Sequence, residues 1–330
     1  MGECKIHFLN VLNGDCTIIE HETGRISVID VCNGNSSSGG ISIGLEANFN
    51  NQSHPTNPID YLRNICVNKP IFRFILTHPD MDHLDGIKNI FDKFTISNFW
   101  DTNHQKDLSS ADFNKYKKED WEHYQQIRKQ QQESPKVLQV YQGYQNDFYR
   151  LGCDNFEIIS PSEKLVTDLQ NLKNPDWNEI SYVILHQVFG RKILYCGDSG
   201  NKAWQSIMSD EDLLNKIKNI DILLAPHHGR KTGGDDLNQY LNKLNPKLAI
   251  LGNTDNSQHK NYSAFYNREI PILTNNEAGD IVVTIKENGN IDIEISQNDW
   301  KTLLTIKNEN WENLLKQNHI YLLRKWKDYD

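Results

Sequence analysis

The sequence predicts an α/β protein, on the strength of three features. Its first thirty residues hold three short β segments separated by turn residues. Two later apolar runs, Ile71–Leu76 and Asp221–Ala225, each abut a proline, as buried strands often do. Helix-patterned stretches stand between them. The chain has 330 residues, 37% hydrophobic and 24% charged. That is enough apolar material for a core, and a length open to two domains or to one large decorated domain.

In order, Lys5–Val11, Cys16–Glu20 and Ile26–Val31 read as an antiparallel meander with turns at Asn13-Gly14-Asp15 and Gly24. Residues 33–57, rich in Asn, Ser and Gly, read as a loop. Ile59–Asn64 reads as a helix, Ile71–Leu76 as a buried strand, Gly86–Phe94 as a helix and Ile96–Trp100 as a strand. Residues 102–136 are very polar and carry Phe113, Tyr116, Trp121 and Tyr124 at near-helical spacing, which predicts an amphipathic helical insertion ended by Ser134-Pro135. Its aromatics fit core contacts or a lid over a pocket, and the two readings are compatible. Phe156–Pro161 ends a strand, Tyr182–His186 and Lys192–Cys196 form a hairpin around Phe189-Gly190, and residues 281–285 and 291–295 form another around Asn288-Gly289. Trp300–Trp326 is helical in pattern.

The net charge of −9 argues against a protein that coats duplex DNA nonspecifically, because such binding is driven by counterion release from basic surfaces. Mean hydropathy is low, −0.66, because Asn, Gln and Lys crowd the chain. Six cysteines lie scattered without a CxxC pair, which fits buried thiols in a reducing compartment better than a disulfide framework. The N-terminus shows no secretory signal and no apolar run approaches a membrane span, so a cytoplasmic location away from membranes is expected.

The chemistry concentrates just past a strand end. His78, Asp80, Asp82 and His83 place four potential metal ligands within six residues. In an irregular loop, positions 78, 80 and 82 converge while 83 points elsewhere, so one loop can feed two adjacent cations. Nitrogen with carboxylate oxygen suits Zn²⁺, Mn²⁺ or Fe²⁺. A solvated loop whose side chains merely pair, or cap the next helix as Asp85 would, is the blander reading, and it fits this density of ligands poorly. Asp198 follows a strand that ends in a glycine turn, where a carboxylate can bridge two metals, although Gly-Asp-Ser alone is a common turn. His227-His228-Gly229 follows the apolar strand and Pro226. The three segments support one another because each lies at a strand end, where α/β folds place their active sites.

These motifs resemble the metallo-β-lactamase superfamily and, within it, the hydrolase domain of ComEC-type competence proteins and their soluble stand-alone relatives. The matching pieces are Asn10–Asp15, Ile29-Asp30, Thr77–Gly86, Ile159-Ser160-Pro161, Tyr195–Asp198, Pro226–Gly229 and Thr274–Gly279, in order over about residues 1–298. The chain has Asp80 where the superfamily usually has a second histidine, as in the ComEC-like branch. It has Asn10 and Asn13 where that branch commonly carries Asp and Gln. The histidine that many members place before Asp198 has no clear counterpart. Asn178 looks like what the branch has instead, while His186 alternates along a strand as a packed residue does.

The resemblance implies a four-layer αββα sandwich over residues 1–298, with the helical insertion at 102–136 and a C-terminal helical extension at 299–330. It implies two divalent metal ions, Zn or Mn. His78 and Asp80 would hold one and Asp82 and His83 the other, with Asp198 bridging and His227 completing the second site. Asp82 would also orient the water that the cations activate. His228 would contact substrate or protonate the leaving group, or support His227. His259 is a further candidate for the acid, and Asn178, Lys231 and Arg230 are candidate substrate contacts. A nucleic acid or nucleotide is the expected partner, cleaved at a phosphodiester bond. Two alternatives stay open, hydrolysis of a carboxylic or phosphorylcholine-type ester and a metal-bearing module without turnover. The oligomeric state stays open too.

Overall fold

The meander forms where it is expected, as β1 (Glu3–Phe8), β2 (Thr17–Glu20) and β3 (Ile26–Ile29). The structure is a computed structural model and describes residues 2–11, 13–36, 55–129, 134–144, 150–151, 154–231, 233, 237–253, 262–296, 313, 316–317 and 320–323. Next come α1 (Pro58–Ile65), β4 (Ile71–Ile75), α2 (Ile87–Lys93), β5 (Ile96–Asp101), α3 (Lys118–Arg128) and β6 (Lys136–Gln139). The chain continues through β7 (Arg150–Leu151), β8 (Asp154–Ser160), α4 (Glu163–Gln170), β9 (Val183–Val188) and β10 (Arg191–Tyr195). After these lie α5 (Asn201–Met208), α6 (Glu211–Lys216), β11 (Ile222–Leu224), α7 (Leu237–Leu244), β12 (Leu248–Leu251), α8 (Tyr262–Tyr266) and β13 (Ile272–Thr274). The last elements are α9 (Asn275–Ala278), β14 (Ile281–Lys286), β15 (Ile291–Ile295) and β16 (Ile320–Leu323).

Two sheets result. One runs β16-β15-β14-β1-β2-β3-β4-β5-β6 and the other β13-β12-β11-β10-β9-β8-β7. Each combines antiparallel hairpins with a parallel run, β3 to β6 in the first and β10 to β13 in the second. Ile6, Phe8, Ile75, Tyr182, Ile184, Ile193, Val283, Ile285 and Ile293 belong to a buried cluster drawn from both sheets, the sandwich filling. A second cluster joins the outer face of the first sheet to α1, α2 and α3, and a third joins the outer face of the second sheet to α5, α7 and α8. The layers are therefore helix, sheet, sheet, helix, the αββα order expected. Each fully buried aliphatic side chain contributes about 1.5–3 kcal/mol.

Local chemistry starts the helices. Asn57 accepts the Ile59 N–H ahead of α1, with Pro58 in its first turn, and Ser162 accepts the Leu165 N–H ahead of α4. In the insertion, α3 packs Trp121, Tyr124 and Ile127 into the second cluster, with Phe113 and Tyr116 against it. These aromatics are core contacts, which is one of the two readings above. Buried Asp120 ties α3 to the start of α2 by accepting the Gly86 and Lys88 N–H groups. The insertion is only partly helical, since Lys136 already opens β6 at the sheet edge.

The C-terminal extension differs from its expected helical form at residues 320–323. These form β16, parallel to β15, because Ile-Tyr-Leu-Leu is a strand-favouring run and β15 offers an edge to pair with. Apart from 313 and 316–317, the rest of 299–330 lies outside the described residues. Among the described residues, no helix is long and apolar enough to cross a membrane. Cys4, Cys16, Cys32, Cys66 and Cys196 are buried free thiols.

A hydrogen-bonded polar group lies inside the sandwich. Asp154 on β8 accepts from His21 Nδ1 at 3.1 Å and from His186 Nε2 at 2.5 Å. The outer ring nitrogens accept in turn from Ser27 Oγ (2.8 Å) and Tyr195 Oη (3.1 Å). His186 is thus a packed residue of the core, as its place on the strand implied.

Candidate metal centre

The parallel strands of both sheets deliver their C-terminal ends to one place. From the first sheet come Asp30 after β3 and the Thr77–His83 loop after β4, and from the second Asp198 after β10 and the Pro226–Gly229 turn after β11. Backbone bonds lock these loops together, the first across the two sheets and the second within one. Tyr182 N–H donates to the Thr77 carbonyl at 3.1 Å, and His227 N–H to the Gly197 carbonyl at 2.9 Å. Gly14 and Gly252 allow the closest approaches. A Cβ at Gly14 would lie 2.1 Å from the Asp82 carbonyl oxygen, and one at Gly252 would lie 2.6 Å from His228 Nδ1.

Three histidines turn their Nδ1 edges outward and their Nε2 edges inward. His83 Nδ1 meets Asp30 Oδ2 at 2.8 Å, and His228 Nδ1 lies 3.2 Å from Asp15 Oδ1. His78 Nδ1 meets Thr77 Oγ1 at 3.1 Å, and that hydroxyl donates to Asp30 Oδ2 at 2.6 Å. Asp30 also accepts the Thr77 N–H at 2.7 Å, so one carboxylate orients two rings. With Nδ1 hydrogen-bonded in His78 and His83 and paired with a carboxylate in His228, the Nε2 edges face inward, the edge a metal-binding imidazole uses once deprotonated.

Those Nε2 atoms surround Asp198. His83 and His228 Nε2 each lie 3.5 Å from Asp198 Oδ1, and His227 Nε2 lies 3.4 Å from Oδ2. Three overlapping groups have ligand atoms within 4.8 Å of one another: His78, His83 and Asp198; Asp82, His83 and His228; and Asp15, Asp198 and His228. His78, His83, Asp198 and His228 are buried, yet His78 Nε2, His83 Nε2, His228 Nδ1 and Asp198 Oδ1 have no hydrogen-bond partner among the described residues.

The electrostatics are mutual. Burial, then the charge of His83, pushes the His78 ring down to about 3, so it is neutral near pH 7. Burial opposes charge on Asp198, but His228, His227 and His83 around it hold its carboxyl well below the usual range. Burial likewise opposes charge on His83, but Asp198 and Asp30 hold that ring well above its ordinary value. Burial raises the Asp82 carboxyl to about 6.

The other sequence candidates fall as follows. Asp80 belongs to none of the three ligand groups: its Oδ1 lies 3.9 Å from His78 Nε2 and accepts from Lys106 Nζ at 2.5 Å. His228, expected to act on the leaving group, is 1% exposed and faces the cluster. His227, expected as a ligand, is half-buried, with its Nε2 3.4 Å from Asp198 Oδ2 and 3.5 Å from Arg230 Nη1. Asn178 sits in the Trp177–Ile180 turn, where its N–H donates to Asp176 Oδ1 and its carbonyl accepts from Ser181 N–H. That turn borders the centre through Ser181 Oγ, which accepts the Asp198 N–H at 3.1 Å. Lys231 is exposed beyond the histidine turn, and His259 lies outside the described residues.

Four site contributors have no role in the reading of the sequence. Asp15, Asp30 and Thr77 lie inside the matching motifs, and the signal for them is their position at a turn and at strand ends. Lys106, one of 35 basic residues, carries no local signal at all.

Comparison with models of known protein families gives no match, and comparison with curated proteins gives none. Among solved structures, the chain is similar to YhfI of Bacillus subtilis, described as a metallo-β-lactamase fold protein. The identity is 10%, covering 83% of this chain and 96% of that one, with a TM-score of 0.46. A variant of the β-hydroxylase CmlA is 11% identical over 84% of this chain and 53% of its own, with a TM-score of 0.49, so the chain spans about half of CmlA. A diphosphatase of the PhnP family is 13% identical over 79% of this chain and 81% of its own, with a TM-score of 0.40.

Proposed function

We propose that the chain is a divalent-metal-dependent hydrolase of phosphodiester bonds in nucleic acids or nucleotides, working with Zn or Mn. One observation carries the metal. His78 Nε2, His83 Nε2 and Asp198 Oδ1 are buried, point at one another and lack hydrogen bonds, a state that costs about 1–3 kcal/mol per atom unless something binds there. The spacing also fits a cation: ligand atoms on a tetrahedron with bonds of about 2.0–2.1 Å stand roughly 3.4 Å apart, against 3.5 Å here. Mixed imidazole and carboxylate donors suit Zn or Mn.

A cation held there supplies Lewis acidity, lowering the pKa of a water and offsetting charge on the phosphoryl oxygens. Asp30, Thr77 and Asp15 keep the rings of His83, His78 and His228 in the ligating orientation. Asp82, partly exposed at the edge of the cluster, is the carboxylate we assign to hold the attacking water and take its proton. His227 and His228 exchange the roles read from sequence: buried His228 joins the ligands, and His227, beside Arg230 on the open side, meets the leaving group. Arg230 and exposed Lys231 place positive charge where a phosphodiester would approach. The resemblance to ComEC-type domains supports the same substrate class.

The test is turnover of bis-(p-nitrophenyl) phosphate, single-stranded DNA, cyclic nucleotides and a p-nitrophenyl carboxylic ester by protein loaded with Mn²⁺ or Zn²⁺. Phosphodiester cleavage is expected, and it is abolished in Asp198→Ala and His78→Ala with circular dichroism unchanged. Full activity in either variant sinks the site, and turnover of the carboxylic ester alone sinks the substrate class.

A further inference from the structure

We propose that the Lys106 ammonium fills one of the two expected cation positions, so that the centre binds a single divalent metal ion. The inference rests on reading the cluster as a metal centre. Asp80 is the carboxylate that the sequence pairs with His78 around one cation, yet it belongs to none of the ligand groupings among the described residues. Its Oδ1 instead accepts from Lys106 Nζ at 2.5 Å, while His78 Nε2 stays 3.9 Å away.

An ordinary surface ion pair would carry no such meaning, because long side chains on the surface rarely hold one geometry. Lys106 is different because its backbone is built into place. Its N–H donates to His104 Nδ1 at 2.9 Å, and His104 Nε2 donates to Tyr124 Oη at 2.6 Å. Tyr124 Oη donates to Asp101 Oδ1 at 2.5 Å, and Asp101 Oδ2 accepts from Arg128 Nε at 2.8 Å. Arg128 also donates to the His104 carbonyl at 2.6 Å. His104, Tyr124 and Asp101 are buried. This relay, anchored on β5 and α3, carries Lys106 from the end of β5 to the rim of the centre, and its side chain is only 15% exposed there.

A lysine ammonium is a compact point charge. Placed on Asp80, it neutralises the carboxylate a second cation would need and repels that cation. His83, Asp198 and His228, with His78 and Asp82 at the sides, are left to hold one ion.

The experiment is metal stoichiometry, by calorimetric titration and by equilibrium dialysis with elemental analysis, using Mn²⁺ and Zn²⁺ on the full chain. One equivalent is expected in the wild type and in Lys106→Arg, and two in Lys106→Met, where Asp80 is released. Asp80→Asn is expected to keep one equivalent at unchanged affinity. Two equivalents in the wild type, one in Lys106→Met, or loss of the ion in Asp80→Asn would each overturn the proposal while leaving a metal hydrolase in place. No metal in any protein removes the proposed function, and this inference with it.

Discussion

Two buried clusters in this molecule look alike as sets of residues. In each, side chains from both sheets surround a carboxylate with imidazoles, Asp198 among His78, His83, His227 and His228, and Asp154 between His21 and His186. The second even gathers Cys4, Asp154 and His186 within metal-ligand reach. Their hydrogen bonds separate them. Around Asp154 every ring nitrogen has a partner at 2.5–3.1 Å. Around Asp198 the Nε2 atoms of His83, His227 and His228 stand 3.4–3.5 Å away, and His78 Nε2, His83 Nε2, His228 Nδ1 and Asp198 Oδ1 have no hydrogen-bond partner among the described residues. The first pattern is a satisfied network that clasps the sheets, and the second leaves buried polar atoms without hydrogen bonds, the observation on which the proposed metal centre rests. Ligand types alone do not mark a site; their unmet bonds do.

The contrast can be broken most forcefully at Asp154. Removing one partner of a buried charged network costs about 3–5 kcal/mol, so Asp154→Ala should lose that much in denaturant unfolding while its metal content stays unchanged. A fall in bound metal would make the clasp part of the centre.

Acid should reach the clasp next. Burial lowers the His21 ring from 6.5 to about 4, against the pull of Asp154. The unfolded chain therefore takes up this proton first, and stability present above pH 6.5 is lost as pH falls toward 4. At about 1.4 kcal/mol per pH unit, the loss is about 3 kcal/mol. Burial displaces His78 in the same direction, so the informative quantity is a difference. Unfolding at about pH 7 and about pH 4.5 should show a shallower pH dependence in His21→Gln than in the wild type, and equal slopes would mean that His21 is not held neutral in the fold.

The smallest effect belongs to Asp30, which orients His83 directly and His78 through Thr77. Asp30→Asn should weaken metal binding about 10–100-fold. An unchanged titration would leave the ring orientations unexplained by this carboxylate.

The sandwich and most of the centre are legible in the sequence because both are written locally. His78–His83, Asp198 and His227-His228 each follow a short apolar run, and strand ends of an α/β fold converge. Leu248–Leu251 and Ile272–Thr274, which complete the second sheet as β12 and β13, are not legible as strands. Runs of three or four apolar residues look the same in a strand as in a buried helix. Lys106 is out of reach for another reason: its place is set by Tyr124 and Arg128, some twenty residues along the chain, and no spacing rule links them. That both His227 and His228 reach Asp198 is equally hidden, because it depends on backbone angles at two adjacent residues.

Those angles have a further consequence. His227 and His228 stand at φ 49° and 55°, ahead of Gly229 at 77°, a left-handed winding that disfavours any residue with a Cβ by about 1–3 kcal/mol. In a strand, neighbours would face opposite ways, whereas here two consecutive rings reach the two oxygens of a single carboxylate. What holds both rings against Asp198 is thus what the chain, left to its own preferences, would unwind. Glycine at either position would ease the backbone and remove a ring from beside Asp198, so backbone preference and the arrangement of the cluster pull these two positions in opposite directions.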